Sequence, residues 1–196
     1  ERAEQDACKP CLAELPWTDT HSAVQTGRAF SQCVSPFFLT GKVHQALVDY
    51  KYHQRESYGV CFGRWMGDCA CRCLSDAFDL VTWVPVSRKR LRRRGFDQAR
   101  YLAGSLCVEW HVEPQETLRK TTDNPAQSGL DDAGARRANV LGVYEAVRPE
   151  NIAGKRFLLI DDICTTGATL SEAARVLRQA GAADVVGLTL AISREE

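Results

Sequence analysis

Phe157-Leu158-Leu159-Ile160-Asp161-Asp162-Ile163-Cys164-Thr165-Thr166-Gly167-Ala168-Thr169 is the stretch that decides how this chain folds. Arg156 to Ile160 is a short apolar run, fit for a central parallel strand buried on both faces. Two adjacent carboxylates stand at its end. A loop of hydroxyl and small residues follows, and the spacing predicts a helix from Thr169. Thr169 and Glu172 make a capping-box pattern, Leu170, Ala173, Ala174 and Leu177 make a buried face, and Gly181 is the stop.

That order of groups has a chemistry. The free N–H groups and dipole of a helix N-terminus favour an anion. Thr165, Thr166 and Thr169 add hydroxyl donors, and Gly167 and Ala168 let the backbone come close to a phosphate. Asp161 and Asp162 are acceptors for sugar hydroxyls, or for Mg2+ held through water. A ligand with a phosphate at one end and a diol beside it fits, as in ribose 5-phosphate. The stretch lacks Gly-Lys-Ser/Thr, so it is no P-loop, and it lacks Gly-x-Gly-x-x-Gly, so it is no dinucleotide fingerprint.

Outward from this unit, strands alternate with helices. Asp184 to Ile192 reads as the next strand, and Asp79 to Val86 as a buried strand ending at Pro85. Apolar spacing predicts helices over 41–52, 57–76 and 96–110, and a short strand over 115–120. Alternation of this kind predicts a mainly parallel, doubly wound α/β sheet flanked by helices. Ligands of such sheets sit beyond the carboxyl ends of the strands, where Pro85 to Arg88 and Asp161 to Thr169 both fall. Residues 121–139 are polar and read as a long loop of the kind that serves as a lid.

Composition sets the outer limits. The chain has 196 residues, 44% of them hydrophobic, enough for one α/β domain and a small appendage. We expect a domain over 41–196 and a small cysteine-containing N-terminal module over 1–40. No apolar run approaches the roughly 20 residues of a membrane span. The opening Glu1-Arg2-Ala3-Glu4-Gln5-Asp6 shows no signal peptide and no initiator Met, so the expectation is a cytoplasmic protein with an earlier start.

Formal net charge is zero, which argues against bulk attraction to polyanions. Charge is nevertheless concentrated: Arg88, Lys89, Arg90, Arg92, Arg93 and Arg94 fall within seven positions. The run reads as a solvated face or as nucleic-acid contact. Nine cysteines at irregular spacing do not suggest a disulfide framework. Cys8-Lys9-Pro10-Cys11 is half of a zinc knuckle, with Cys33 and His21 as undiagnostic further ligands. Cys69, Cys71 and Cys73 read as small residues on a helix. His21, His44, His53 and His111 share no motif and read as structural or surface groups.

Ile160-Asp161-Asp162-Ile163-Cys164-Thr165-Thr166-Gly167 resembles the signature of the type I phosphoribosyltransferases. Two further segments resemble the ComF (competence protein F) family within that superfamily. One is Val84-Pro85-Val86-Ser87-Arg88-Lys89-Arg90-Leu91-Arg92-Arg93-Arg94-Gly95-Phe96-Asp97-Gln98-Ala99. The other is Asn124-Pro125-Ala126-Gln127-Ser128-Gly129-Leu130, followed by Arg136-Arg137-Ala138-Asn139-Val140. Together they cover about residues 40 to 192.

The resemblance implies a type I phosphoribosyltransferase-like parallel sheet that binds phosphoribosyl pyrophosphate with Mg2+. The activity implied is transfer of the phosphoribosyl group to an unspecified acceptor. Asp161 and Asp162 would bind the ribose hydroxyls and, through water, the Mg2+. Cys164, Thr165, Thr166, Gly167, Ala168 and Thr169 would bind the 5-phosphate. Ser87, Arg88, Lys89 and neighbouring Arg90 are placed for the pyrophosphate. Lys120, counted with the two aspartates as catalytic, and Gln127 and Arg136 would reach over it from the lid, with Arg119 and Arg137 beside them. The family's opening four-cysteine zinc knuckle would need a pair before Glu1, so Zn2+ is expected only in a longer chain. The competence role raises an alternative: a non-catalytic protein of this fold, acting in DNA uptake through single-stranded DNA or a protein partner.

Overall fold

The computed structural model describes residues 7–20, 24–25, 29–53, 55–74, 78–124 and 139–193. Its centre is strand β7 (Arg156–Cys164), whose alternate side chains enter two different cores. Leu158 and Ile160 pack with α3 (Tyr58–Cys73) and α5 (Gln98–Trp110), against Met66, Leu102 and Leu106. Phe157 and Leu159 pack on the other face with α6 (Ala168–Gln179), against Leu170, Ala173 and Leu177. A strand with an apolar side chain on both faces must be covered twice, and the expected doubly wound arrangement follows.

β7 pairs in parallel with β4 (Leu80–Trp83) on one side and β8 (Asp184–Ile192) on the other. The six-stranded sheet is completed by β1 (Val24–Gln25), β2 (Cys33–Val34) and β3 (Phe37–Phe38); β2 and β3 both lie parallel to β8. The β1–β2 pair is antiparallel, and Trp17 makes an antiparallel bridge to Phe37 of β3. Residues expected to form a separate N-terminal module thus supply strands to the main sheet. Their contact is polar as well as apolar: the Ser35 and Thr189 hydroxyls lie 2.6 Å apart in the interior. Behind the short helix α1 (Lys9–Ala13), Trp17 packs tilted on Phe37, with ring centroids 4.5 Å apart, and meets Trp65 of α3 edge-on at 5.9 Å. Helix α2 (Gly41–Tyr52) buries Val43, Leu47 and Tyr50 in the same core.

Two local readings are corrected. The strand expected to stop at Ile160 runs on to Cys164, because β8 continues beside it, pairing Asp161 with Thr189 and Cys164 with Ile192. The capping box at Thr169 is not made. Gly167 takes a left-handed turn (φ 66°) and starts the helix at Ala168, so Thr169 already lies inside it. Glu172 is used elsewhere: its carboxylate accepts the Gly142 N–H at 2.8 Å and pairs with Arg175. The Gly181 stop is present, at φ 95°.

Helix α4 (Arg88–Arg94) holds the basic run, with Ser87 as its N-cap accepting the Arg90 N–H at 3.1 Å. A separate antiparallel pair, β5 (Leu118–Lys120) and β6 (Tyr144–Ala146), sets Lys120 opposite Tyr144. Among the described residues no helix is long and apolar enough to cross a membrane.

Helices α3 and α5 approach closely at Gly63. A Cβ there would lie 2.7 Å from Ser105 Cβ and 2.9 Å from the Leu106 backbone nitrogen. Gly104, in the same helix α5, has open space around its would-be Cβ. Gly63→Ala should therefore lose about 1–2 kcal/mol, the clash outweighing the gain in helix propensity. Gly104→Ala should gain about 0.5–1 kcal/mol. Urea unfolding of both variants checks the helix contact, which would be refuted by equal effects.

Candidate functional site

The cleft exists because neighbouring strands end at different places. β4 is paired with β7 only as far as Trp83 opposite Ile160, after which the chain leaves at Pro85. β7 continues for four residues on β8 alone. Its unpaired edge beyond Ile160 lines a cleft of about 360 Å³, with Asp161 and Asp162 in its wall.

Both acids are largely removed from water, at 8% and 6% exposure. Asp161 Oδ1 accepts the Asp162 N–H at 2.8 Å. Burial, and then the adjacent Asp162 charge, push the Asp161 carboxyl well above the usual carboxylate range. Asp162 Oδ2 is ion-paired with the Lys51 ammonium of α2, 2.8 Å away. The two carboxylates together offer oxygens of the kind that accept from a sugar hydroxyl or from water on a divalent cation.

The loop after β7 turns sharply at Gly167, where a Cβ would meet the Phe30 ring at 3.3 Å. Thr165 and Thr169 line the cleft, whereas Thr166 is exposed and not in its wall. Cys164 and Ala168 are buried in the core under α6, so their side chains support the loop from behind.

Basic groups form the facing wall. Arg90 and Arg94, one turn apart on α4, both reach the cleft. Arg90 donates to the Asn124 carbonyl at 2.5 Å, and Arg94 to Gln98 Oε1 and the Tyr52 hydroxyl at 3.0 Å. The turn that carries them is pinned by Asp97, which caps α5 and accepts the Val86 N–H at 3.1 Å. Lys120, 8% exposed, stands 5.3 Å over the Tyr144 ring. Burial, then repulsion from Arg90, lowers its ammonium pKa to about 8.

Comparison with known proteins bears on this geometry. Residues 95–196 match the Phosphoribosyl transferase domain. The chain belongs to that family. It is 32% identical over 108 residues to the DNA utilization protein YhgH of Escherichia coli O157:H7, covering 55% of this chain and 46% of that protein. It is 32% identical over 105 residues to Competence protein F of Haemophilus influenzae, covering 52% and 45%. These relatives bear out the resemblance to the ComF family; the match spans less than half of their length. The allosteric regulatory enzyme of purine biosynthesis is 22% identical, with a TM-score of 0.47, over 72% of this chain and 29% of its own.

Of the residues expected at a phosphoribosyltransferase site, Asp161, Asp162, Lys120, Thr165 and Thr169 meet in one cleft. Ser87 is buried at its edge, bonded to Asp123. Arg88 is exposed outside the cleft wall, and Lys89, also exposed, pairs with Asp123 at the edge of α4, since the face of α4 turned inward is that of Arg90 and Arg94. Gln127, Arg136 and Arg137, with most of the expected lid, lie outside the described residues, as does His21. Lys51, Tyr144 and His44 line the cleft unforeseen. His44 and Lys51 are seven apart on α2, two helical turns, a spacing that puts them on one face without saying what that face meets. Cys8 and Cys11 are exposed at α1, and among the described residues no three His, Cys, Asp or Glu groups gather as for a metal.

The buried lysine gives a pH test. Its folded pKa of about 8 lies below the 10.5 of an ordinary lysine, so between these the unfolded chain binds more protons and stability rises with pH. Lys120→Met should be more stable than wild type at pH 7.5, by an amount on the order of 2 kcal/mol. That advantage should shrink toward pH 10.5. Urea midpoints across the range would contradict the burial if the gap stayed constant.

Proposed function

We propose that the cleft binds phosphoribosyl pyrophosphate with Mg2+ and that the protein transfers its phosphoribosyl group. The observation that carries this reading is the pairing of two unlike walls in one cleft of about 360 Å³. One wall holds Asp161, Asp162, Thr165 and Thr169; the other holds Arg90, Arg94 and Lys120. The first suits a diol beside a phosphate, and the second a polyanionic leaving group.

Each wall has a part in the chemistry. Asp161 and Asp162 accept from the ribose hydroxyls, and their burial makes those bonds strong and directional. The Thr165 and Thr169 hydroxyls, with the backbone N–H groups at the start of α6, hold the 5-phosphate. As a nucleophile attacks the anomeric carbon, the bond to pyrophosphate breaks and charge builds on the leaving oxygen. Arg90, Arg94 and Lys120 stabilise that charge in a partly dehydrated site. Mg2+, when bound, would add Lewis-acid neutralisation of pyrophosphate and ribose oxygens, held through water by Asp161 and Asp162.

The aspartates are costly to the fold. The Asp161 carboxyl is raised, so its folded state binds more protons than the unfolded one, and stability falls as pH rises from about 4. Asp161→Asn keeps an acceptor for the Asp162 N–H and removes the charge. At pH 7.5 it should melt higher than wild type without ligand. Phosphoribosyl pyrophosphate with Mg2+ should raise the Tm of wild type by several degrees, and the Asp161→Asn/Asp162→Asn double variant should show no rise. A full ligand shift in that variant would remove the aspartates from the site.

A second reading has its own observation. Arg88, Arg92 and Arg93 are exposed together on α4, away from the cleft wall. Relatives named for DNA utilization and competence make single-stranded DNA a reasonable ligand for that face. Arg92→Ala/Arg93→Ala should then lower the salt dependence of oligonucleotide binding by about 1.4 in log–log slope. An unchanged slope would leave α4 without a nucleic-acid role.

A further inference from the structure

We propose that Asp123 is an internal anion seated on the pyrophosphate subsite, which an incoming pyrophosphate must displace. The proposal rests on reading the cleft as a phosphoribosyl pyrophosphate site and adds a competitor built into the chain.

Asp123 follows β5 by three residues and reaches across to α4. Its Oδ1 accepts a hydrogen bond from the Ser87 hydroxyl. The Arg90 Nε lies 3.6 Å from the same oxygen, and the Lys89 ammonium lies 3.6 Å from Oδ2. The next residue takes part as well, since Arg90 Nη2 donates to the Asn124 carbonyl at 2.5 Å. Ser87, Lys89 and Arg90 therefore surround a carboxylate of the protein itself, and these are groups that the basic strand end offers to a pyrophosphate. The Ser87 hydrogen bond, with smaller help from Arg90 and Lys89, holds the Asp123 carboxyl below its ordinary range, so it is charged at neutral pH.

Exchange is feasible on energetic grounds. The Asp123 side chain is 29% exposed, and the Lys89 side chain 80% exposed. Ion pairs this open to water are weak. A pyrophosphate brings several negative charges where Asp123 brings one, and it can meet Arg90 and Lys89 bidentately. While Asp123 stays in place, however, its charge repels the ligand and occupies the Ser87 hydroxyl. Once displaced, it also gives up the Arg90 contact to Asn124, whose side-chain amide donates to the Asn139 carbonyl at 2.6 Å. Arrival of pyrophosphate is thereby coupled to the position of residues 123–124 and 139.

The test is isothermal titration of the protein with inorganic pyrophosphate and Mg2+. Asp123→Asn keeps an acceptor for Ser87 but not the charge, and should bind about three- to tenfold more tightly than wild type. Asp123→Glu restores the charge on a longer arm and should bind like wild type. Wild-type binding that Asp123→Asn leaves unchanged or weakens would overturn the competitor while leaving the cleft reading intact. An equal gain in Asp123→Glu would also overturn it, since charge would then not be the cause. Binding by none of the three would overturn both readings at once.

Discussion

The structure depends on one mismatch of lengths. β7 and β8 run together to Cys164 and Ile192, while β4 stops opposite Ile160. Up to that point β7 is held on both edges and both faces, which fixes its register and makes it rigid. Beyond it, one edge is released, and the next two residues are aspartates. The position of the acids is thus set by the sheet and not by a loop. Precision of that kind is what a site for a small polar ligand needs, because an acceptor misplaced by an ångström loses most of its value.

The same placement carries a cost that the surroundings only partly offset. Two adjacent carboxylates are buried, and the ammonium of Lys51 stands beside Asp162. Across the cleft, Lys120 is buried with Arg90 nearby, and both effects disfavour its charge. Each wall is strained by groups of its own sign, and a ligand bearing both hydroxyls and phosphates relieves both walls together. A buried polar network left partly satisfied without its ligand is destabilising but preorganised, the usual compromise at functional sites.

Local patterns made the central unit legible. The run Phe157 to Ile160, the acidic pair and the face Leu170, Ala173, Leu177 each follow from side-chain periodicity within a few residues, and the α/β class followed from them. What stayed hidden was set by partners distant in sequence. The length of β7 is decided by β8, and the start of α6 by the turn that Gly167 makes under Phe30. Glu172 fits a capping box on paper, yet its carboxylate is claimed by Gly142, thirty residues away. β6 is three residues long and has no alternation to read; only its pairing with β5 defines it.

The basic run shows the same limit in its sharpest form. A string of six like charges says that a face is positive, but not which members turn inward. Helical spacing divides the run: Arg90 and Arg94, one turn apart, share the side facing Asp161, while Lys89 turns to Asp123 and Arg88, Arg92 and Arg93 remain in solvent. The division follows from Ser87, which caps α4, and from Asp97, which fixes the chain leaving Pro85. Shifting that cap by one residue would rotate the helix by about 100 degrees and turn Arg90 and Arg94 out of the cleft. A run that seems redundant in sequence is therefore specific in space, with two arginines committed to the cleft, Lys89 paired with Asp123 and three arginines left over for another partner.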